Sequence, residues 1–153
     1  MSSKNKKISI VLPVYNEEGI LEELYNKLSK VISECSDQFE IIFVNDGSSD
    51  NSLNILLEIK KKDSRICILD FTRNFGHHNS LTAGMKEAEG DAVILMDSDM
   101  EDRPEDLLKF IKQWDNGYEV VYAIRNKRKT SLVRSPLFKL FHKINSRLSS
   151  VDI

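Results

Sequence analysis

Residues 92–104 read AVILMDSDMEDRP, an apolar run that stops on carboxylates. Ala92 to Met96 are continuously apolar and β-compatible, the pattern of a strand buried on both faces of a parallel sheet. Asp97, Asp99, Glu101 and Asp102 follow at once. Like charges packed so closely repel unless something positive sits among them, and a hard divalent cation with oxygen ligands is the usual remedy. A competing reading makes the acids the start of the next helix: Pro104 suits a first helical position, Asp102 a cap, and Glu105 and Asp106 the helix dipole. Asp97 and Asp99 come too early for that, so the pair reads as a metal site.

Outward from this stretch, apolar runs alternate with segments of helical spacing. Ile8 to Leu12 is a strand ending at Pro13, and Ile20, Leu21, Leu24, Leu28, Val31, Ile32 and Cys35 then recur as one face of an amphipathic helix. Phe39 to Val44 is a second strand. After it, Leu53, Leu56, Leu57 and Ile59 mark a second helix, capped by Ser49 or Asp50. Ile66 to Phe71 is a third strand, followed by a loop and a helix that ends before Gly90. Beyond Ala92 to Met96 come a helix from Pro104 to Trp114, closed by Asn116 and Gly117, and a fifth strand from Val120 to Ile124. Strands alternating with helices, each strand nearly all apolar, predict an α/β fold: a doubly wound, mostly parallel sheet with helices on both faces.

The polar clusters all fall at carboxyl ends of strands. Asn16 and Glu17 follow the first, Asn45 to Ser48 the second, Arg73, Asn74 and Gly76 the third, Asp97 and Asp99 the fourth, and Arg125 the fifth. In open α/β sheets that edge binds ligands, at the crevice where strand order reverses. If the order begins 3-2-1-4, Glu17 and Asp97 face one another across it.

Composition bounds the rest. The chain has 153 residues, 41% hydrophobic and 30% charged, which suits one packed domain and argues against disorder or a coiled coil. Net charge is only -2, yet residues 120–151 carry no acid and eight Lys or Arg, so an anionic partner is expected for that end. The organisation is therefore an α/β domain over 1–124 and a basic amphipathic segment over 125–153. Leu137, Leu140, Phe141, Ile144 and Leu148 form the stripe of that segment, which either packs as core or lies on an anionic membrane surface. Cys35 and Cys67 read as small core residues in a reducing compartment. No run approaches the ~20 apolar residues of a bilayer span, and the polar N-terminus is no signal peptide, so a cytoplasmic location is expected. Neither GxGxxG after the first strand nor GxxxxGK[ST] occurs, which argues against those two phosphate-binding devices. The adjacent pair His77 and His78 cannot easily converge on one ion and reads as structural or substrate-contacting, and Trp114 reads as core.

Four blocks carry a resemblance: VLPVYNEEG at 11–19, FVNDGSSDNS at 43–52, RNFGHHNSLTAG at 73–84 and GDAVILMDSDMEDRPE at 90–105. In order and spacing they resemble family-2 inverting glycosyltransferases of the GT-A fold, nearest the polyprenyl-phosphate branch of dolichol-phosphate mannose synthase and undecaprenyl-phosphate sugar transferases. The resemblance implies a Rossmann-like nucleotide-binding half in which Pro13, Tyr15, Glu17, Asp46 and Asp97 hold the nucleoside-diphosphate sugar. Asp99 and Glu101 would ligate Mg²⁺ or Mn²⁺, and Asp97, Asp99 and Arg125 would serve catalysis. Arg125 and Arg134 would meet acceptor phosphate. Glu101 stands where many relatives have Gln. The acceptor implied is a polyprenyl phosphate or a saccharide, with no nucleic-acid partner. Location at the inner membrane face, with an anchor in the full-length protein, also follows from the resemblance. So does poor turnover by the 153-residue chain, because acceptor elements are expected beyond Ile153. A non-catalytic nucleotide- or membrane-binding module is the rival reading. A phospho-acceptor signalling domain fits less well, since its acids would not cluster after the fourth strand.

Overall fold

A computed structural model describes residues 6–124. Residues up to Glu119 belong to one compact unit and Val120 begins a second. The first unit runs β1 (Lys7–Val14), α1 (Leu21–Ser33), β2 (Gln38–Asn45), α2 (Ser52–Lys62), β3 (Ile66–Asp70), α3 (His77–Glu87), β4 (Ala92–Leu95), a 3-10 turn (Pro104–Asp106) and α4 (Leu107–Asp115). Among the described residues the strands form one parallel sheet in the order β3-β2-β1-β4. That order puts the reversal between β1 and β4.

Alternate residues of the strands feed two cores. Ile8, Ile10, Leu12, Ile41 and Phe43 point to the side of α1, α2 and α4, where Leu24, Leu28, Leu56, Leu107 and Ile111 meet them. Val11, Ile42 and Val44 face the other way, against Leu81 of α3. β1 and β2 are thus covered on both faces, as their near-continuous apolar character requires. Gly84 sets how closely α3 approaches: a β-carbon there would run into Val11 Cγ1 and lie 3.1 Å from Val44 Cγ2.

β4 departs from expectation. Val93 and Leu95 are 40% and 45% exposed, so the strand is not buried on both faces. These two are in register with Ser9 and Val11, on the face where α3 packs on β1 and β2. α3 does not extend its cover to β4. The fifth strand is also absent, since residues 120–124 form no ladder. An apolar run becomes a strand only through a partner's hydrogen bonds, which composition does not supply. At the start of α2 the N-cap position belongs to Asn51, although Asp50 Oδ1 does accept the Ser52 N–H (3.0 Å). Likewise Arg103, not Asp102, precedes the turn that Pro104 opens. α4 closes as predicted, with Gly117 at φ 96° and the N–H groups of Gly117 and Tyr118 bonded to the carbonyls of Trp114 and Gln113. Trp114 packs on the core with Lys6 Nζ 4.2 Å above its ring.

Two polar knots hold the amino-terminal side. Fully buried Ser9 donates to Glu40 and accepts the Gly90 N–H (2.8 Å), while Lys7 Nζ bridges Glu40 (2.7 Å) and Glu89 (2.8 Å). Asp63, just after α2, accepts from Arg65 Nη2 (2.7 Å), Arg65 Nε (2.9 Å) and Tyr25 Oη (3.0 Å). The Arg65 guanidinium holds its carboxyl at about 2, against an ordinary 3.8. A depressed folded-state pKa stabilises above the unfolded value and is lost as pH falls through the folded one. Between pH 4 and 2 the protein should therefore lose about 2 kcal/mol from this group. Urea unfolding of wild type and Asp63→Asn tests it: acid should cost the variant that much less over this window, and equal losses would contradict the assignment.

Candidate functional site

The β1–β4 pairing ends at Val11 and Leu95, and beyond it, at the carboxyl ends of the strands, lies a cleft of about 330 Å³. The β1 end contributes Pro13, Val14, Tyr15 and Glu17; the β2 end, Asp46; the start of α3 and the loop before it, His77 and Asn74; the β4 end, Asp97, Ser98 and Asp99. Pro13, Tyr15, Glu17, Asp46, Asp97 and Asp99 therefore converge from the ends of three strands, and Glu17 and Asp97 share the cleft as the strand order required. Glu101 is not among the lining residues; its N–H donates to Asp99 Oδ1 (2.8 Å) and so steadies that carboxylate. Arg125 and Arg134, with the whole segment 125–153, lie outside the described residues.

The walls are built by reciprocal hydrogen bonds between loops. Asn16, in the left-handed region at φ 56°, donates its N–H to Ser48 Oγ (3.0 Å) and accepts the Ser49 N–H on its side chain (2.8 Å). Glu17 N–H donates to Ser52 Oγ (2.9 Å), Glu18 N–H to Asp50 Oδ2 (3.0 Å), and Asn51 N–H to Glu18 Oε2 (2.8 Å). NDGSSD is turn chemistry, but its side chains brace the neighbouring loop rather than only their own turn.

Asp46 ties in a third loop. It is 3% exposed, and its Oδ1 and Oδ2 accept the N–H groups of Phe75 (2.7 Å) and Gly76 (2.9 Å). That bond pair fixes the entry to α3 and with it His77, whose Nε2 stands 3.6 Å from Asp97 Oδ1. A carboxylate accepts up to four hydrogen bonds, so Asp46 keeps acceptor capacity toward the cleft.

The site is negative and feels it. Burial, and then the charges of Asp99 and Asp50, push the Glu17 carboxyl above its ordinary value. Among the described residues no three His, Cys, Asp or Glu side chains converge into a ready-made cage. Asp97 and Asp99 supply hard oxygen donors from one wall, and Mg²⁺ is commonly held by one or two carboxylates, with the rest of its shell from waters and substrate phosphates. The donor set thus suits a cation shared with a phosphate ligand.

Asn74 lines the cleft from the cluster expected after the third strand, whereas sequence reasoning missed Ser98 as a lining residue and the approach of His77 to Asp97. No signal pointed to the first: strict alternation would turn a residue between two cleft-facing acids the other way.

A parallel α/β sheet with its cleft at this switch point defines the class: a Rossmann-like domain of the GT-A type. It superposes on Staphylococcus aureus TarS 1-349 with a TM-score of 0.62 at 25% identity, over 82% of this chain and 38% of that one. Mannosyltransferase PcManGT from Pyrobaculum calidifontis, in complex with GDP-Man and Mn²⁺, shares the fold at a TM-score of 0.59 and 19% identity, over 73% of this chain and 33% of that one. The family model for glycosyl transferase family 2 matches residues 9–150, and the chain belongs to that family. It is 43% identical over 152 residues to the uncharacterised glycosyltransferase YkcC of Bacillus subtilis (strain 168), covering 99% of this chain and 47% of that protein. It is 38% identical over 148 residues to the uncharacterised glycosyltransferase sll0501 of Synechocystis, covering 96% and 46%. The chain spans about half the length of these relatives.

Proposed function

We propose that the chain is the donor-binding part of a glycosyltransferase that moves a sugar from a nucleoside-diphosphate sugar to a polyprenyl phosphate, by an inverting single displacement with Mg²⁺ or Mn²⁺. The observation that carries this reading is the convergence of Glu17, Asp46, Asp97 and Asp99 on one cleft between β1 and β4. Structures of the same fold in complex with GDP-Man and Mn²⁺, and with UDP-GlcNAc, support it.

Half-exposed Tyr15 and buried Pro13 offer an apolar ledge for a nucleobase. Glu17 and Asp46 accept from ribose and base, and Asp97 orients the sugar-nucleotide. Asp99, steadied by the Glu101 N–H, would hold the cation, with Asp97 beside it. A divalent cation held there would supply Lewis-acid neutralisation of the charge developing on the departing diphosphate. The acceptor oxygen attacks the anomeric carbon from the opposite face, and the bond to the diphosphate breaks with its electron pair leaving on oxygen. A lipid phosphate is already anionic near neutral pH and needs positioning more than a general base. The acid-free, basic sequence of 120–151 supports an anionic membrane surface as the place where that acceptor is met.

A thermal-shift panel of UDP, GDP, CDP and dTDP, each with and without Mn²⁺, tests the reading. One nucleotide should raise the melting temperature more with Mn²⁺ than without; saturation at about 100 Kd corresponds to ~2.7 kcal/mol. No shift with any of the four, under either condition, would overturn it.

A further inference from the structure

The β1–β4 ladder stops for a reason written in the sequence. The two strands pair Ile8 with Ala92 through Val11 with Leu95, and the Met96 N–H reaches the Val11 carbonyl at 3.1 Å. In that register the next link would be an N–H from residue 13 into the Met96 carbonyl, and the one after it the Ser98 N–H into the carbonyl of residue 13. Residue 13 is proline and has no N–H to give. The ladder therefore breaks here, and the cleft opens where it breaks. Yet the Pro13 carbonyl is not left bare. It accepts the hydroxyl of Ser98 at 2.7 Å, a bond between residues 85 apart in sequence, with Ser98 only 5% exposed.

We propose that Ser98 is the positioning residue of the Asp97–Asp99 pair: beyond the break that Pro13 makes, its hydroxyl takes the place of its own N–H on the Pro13 carbonyl and fixes how far the β4 end stands from β1. The two carboxylates flank Ser98 directly, so whatever sets its place sets theirs. Asp99 has its own local brace in the Glu101 N–H, but that bond lies within the loop and does not locate the loop against β1. A serine hydroxyl is adjustable in a way a backbone amide is not, because it can rotate to meet the carbonyl while the main chain turns away. Pro13 opens the cleft and Ser98 limits the opening.

The inference rests on the nucleotide reading of the cleft, and two measurements on the full 153-residue chain keep their failures apart. The first is amide exchange over residues 97–101, which needs no ligand: Ser98→Ala should exchange faster there, and Ser98→Thr, which keeps a hydroxyl, should return to the wild-type rate. The second is calorimetry with each of the four nucleoside diphosphates, read as the ratio of affinities with and without Mn²⁺. Ser98→Ala should lower that ratio by about tenfold, as loss of a residue orienting a metal ligand does, and Ser98→Thr should restore it. A purely structural serine would lower the melting temperature and leave the ratio unchanged, and that outcome overturns the proposal. Unchanged exchange in Ser98→Ala overturns it equally. If wild type shows no Mn²⁺-dependent affinity, the glycosyltransferase reading fails, and the exchange result alone decides on Ser98.

Discussion

Asp99→Ala is expected to remove the Mn²⁺-dependent part of nucleoside-diphosphate affinity, about 100-fold or more, while the melting temperature barely changes. The size follows from its place. Losing a partner that merely orients a metal ligand costs about 10–100-fold, and losing the ligand itself costs at least the upper end of that range. The fold should tolerate the change because Asp99 is an exposed loop residue whose one described hydrogen bond is with the Glu101 N–H. A bond of that kind is worth about 1 kcal/mol. A second signature separates loss of charge from loss of shape: with Asp99 gone, one of the two charges that raise the Glu17 carboxyl disappears, so its titration should move down toward the ordinary value. Carbon-detected NMR of Glu17 reads that shift without ligand. Calorimetry showing wild-type, metal-dependent binding in the variant would remove Asp99 from the site.

Gly47→Ala should do the opposite and damage fold and site together. Gly47 sits at φ 65°, where an L side chain costs roughly 1–2 kcal/mol. A β-carbon there would also lie inside contact with the Arg73 backbone and 2.6 Å from the Asn74 nitrogen. Those are main-chain atoms, so no rotamer change relieves the clash, and overpacking of this sort costs about 1–3 kcal/mol more. The loop that must yield is the one Asp46 holds through Phe75 and Gly76, which carries His77 into the cleft. A loss of about 3 kcal/mol, or about 10 °C in melting temperature for a chain of this size, should come with weakened nucleotide binding. Gly19→Ala is the control: nothing lies within 4 Å of a β-carbon there, and it should change stability by less than about 0.5 kcal/mol. Equal melting temperatures for the two variants would mean that the Gly47 contact is not as tight as described.

Much of this was legible before the structure. Hydrophobic periodicity is a local property, and it located four strands and four helices because a buried strand or an amphipathic helix must repeat its apolar residues at a set spacing. The position of each polar cluster just after a strand put them all on one edge of the sheet, since parallel strands all end there, and the cleft lies at that edge. Given the order β3-β2-β1-β4, Glu17 and Asp97 had to share the crevice, and they do.

What the sequence could not decide was anything that depends on a partner distant along the chain. The apolar run of β4 promised burial on both faces, but burial depends on which helix lies above, and α3 sits on β1 and β2. Val120 to Ile124 has the composition of a strand and no ladder, because pairing is a relation between segments and composition belongs to one. Nothing local tied Asp46 to Phe75 and Gly76, whose N–H groups its oxygens accept, or Ser98 to Pro13, 85 residues away. The sequence alone determined the period of the elements and the sheet edge on which the polar clusters gather. Tertiary structure decided which side chains brace that edge, because a hydrogen bond's partner is chosen by strand order and register, which no local pattern encodes.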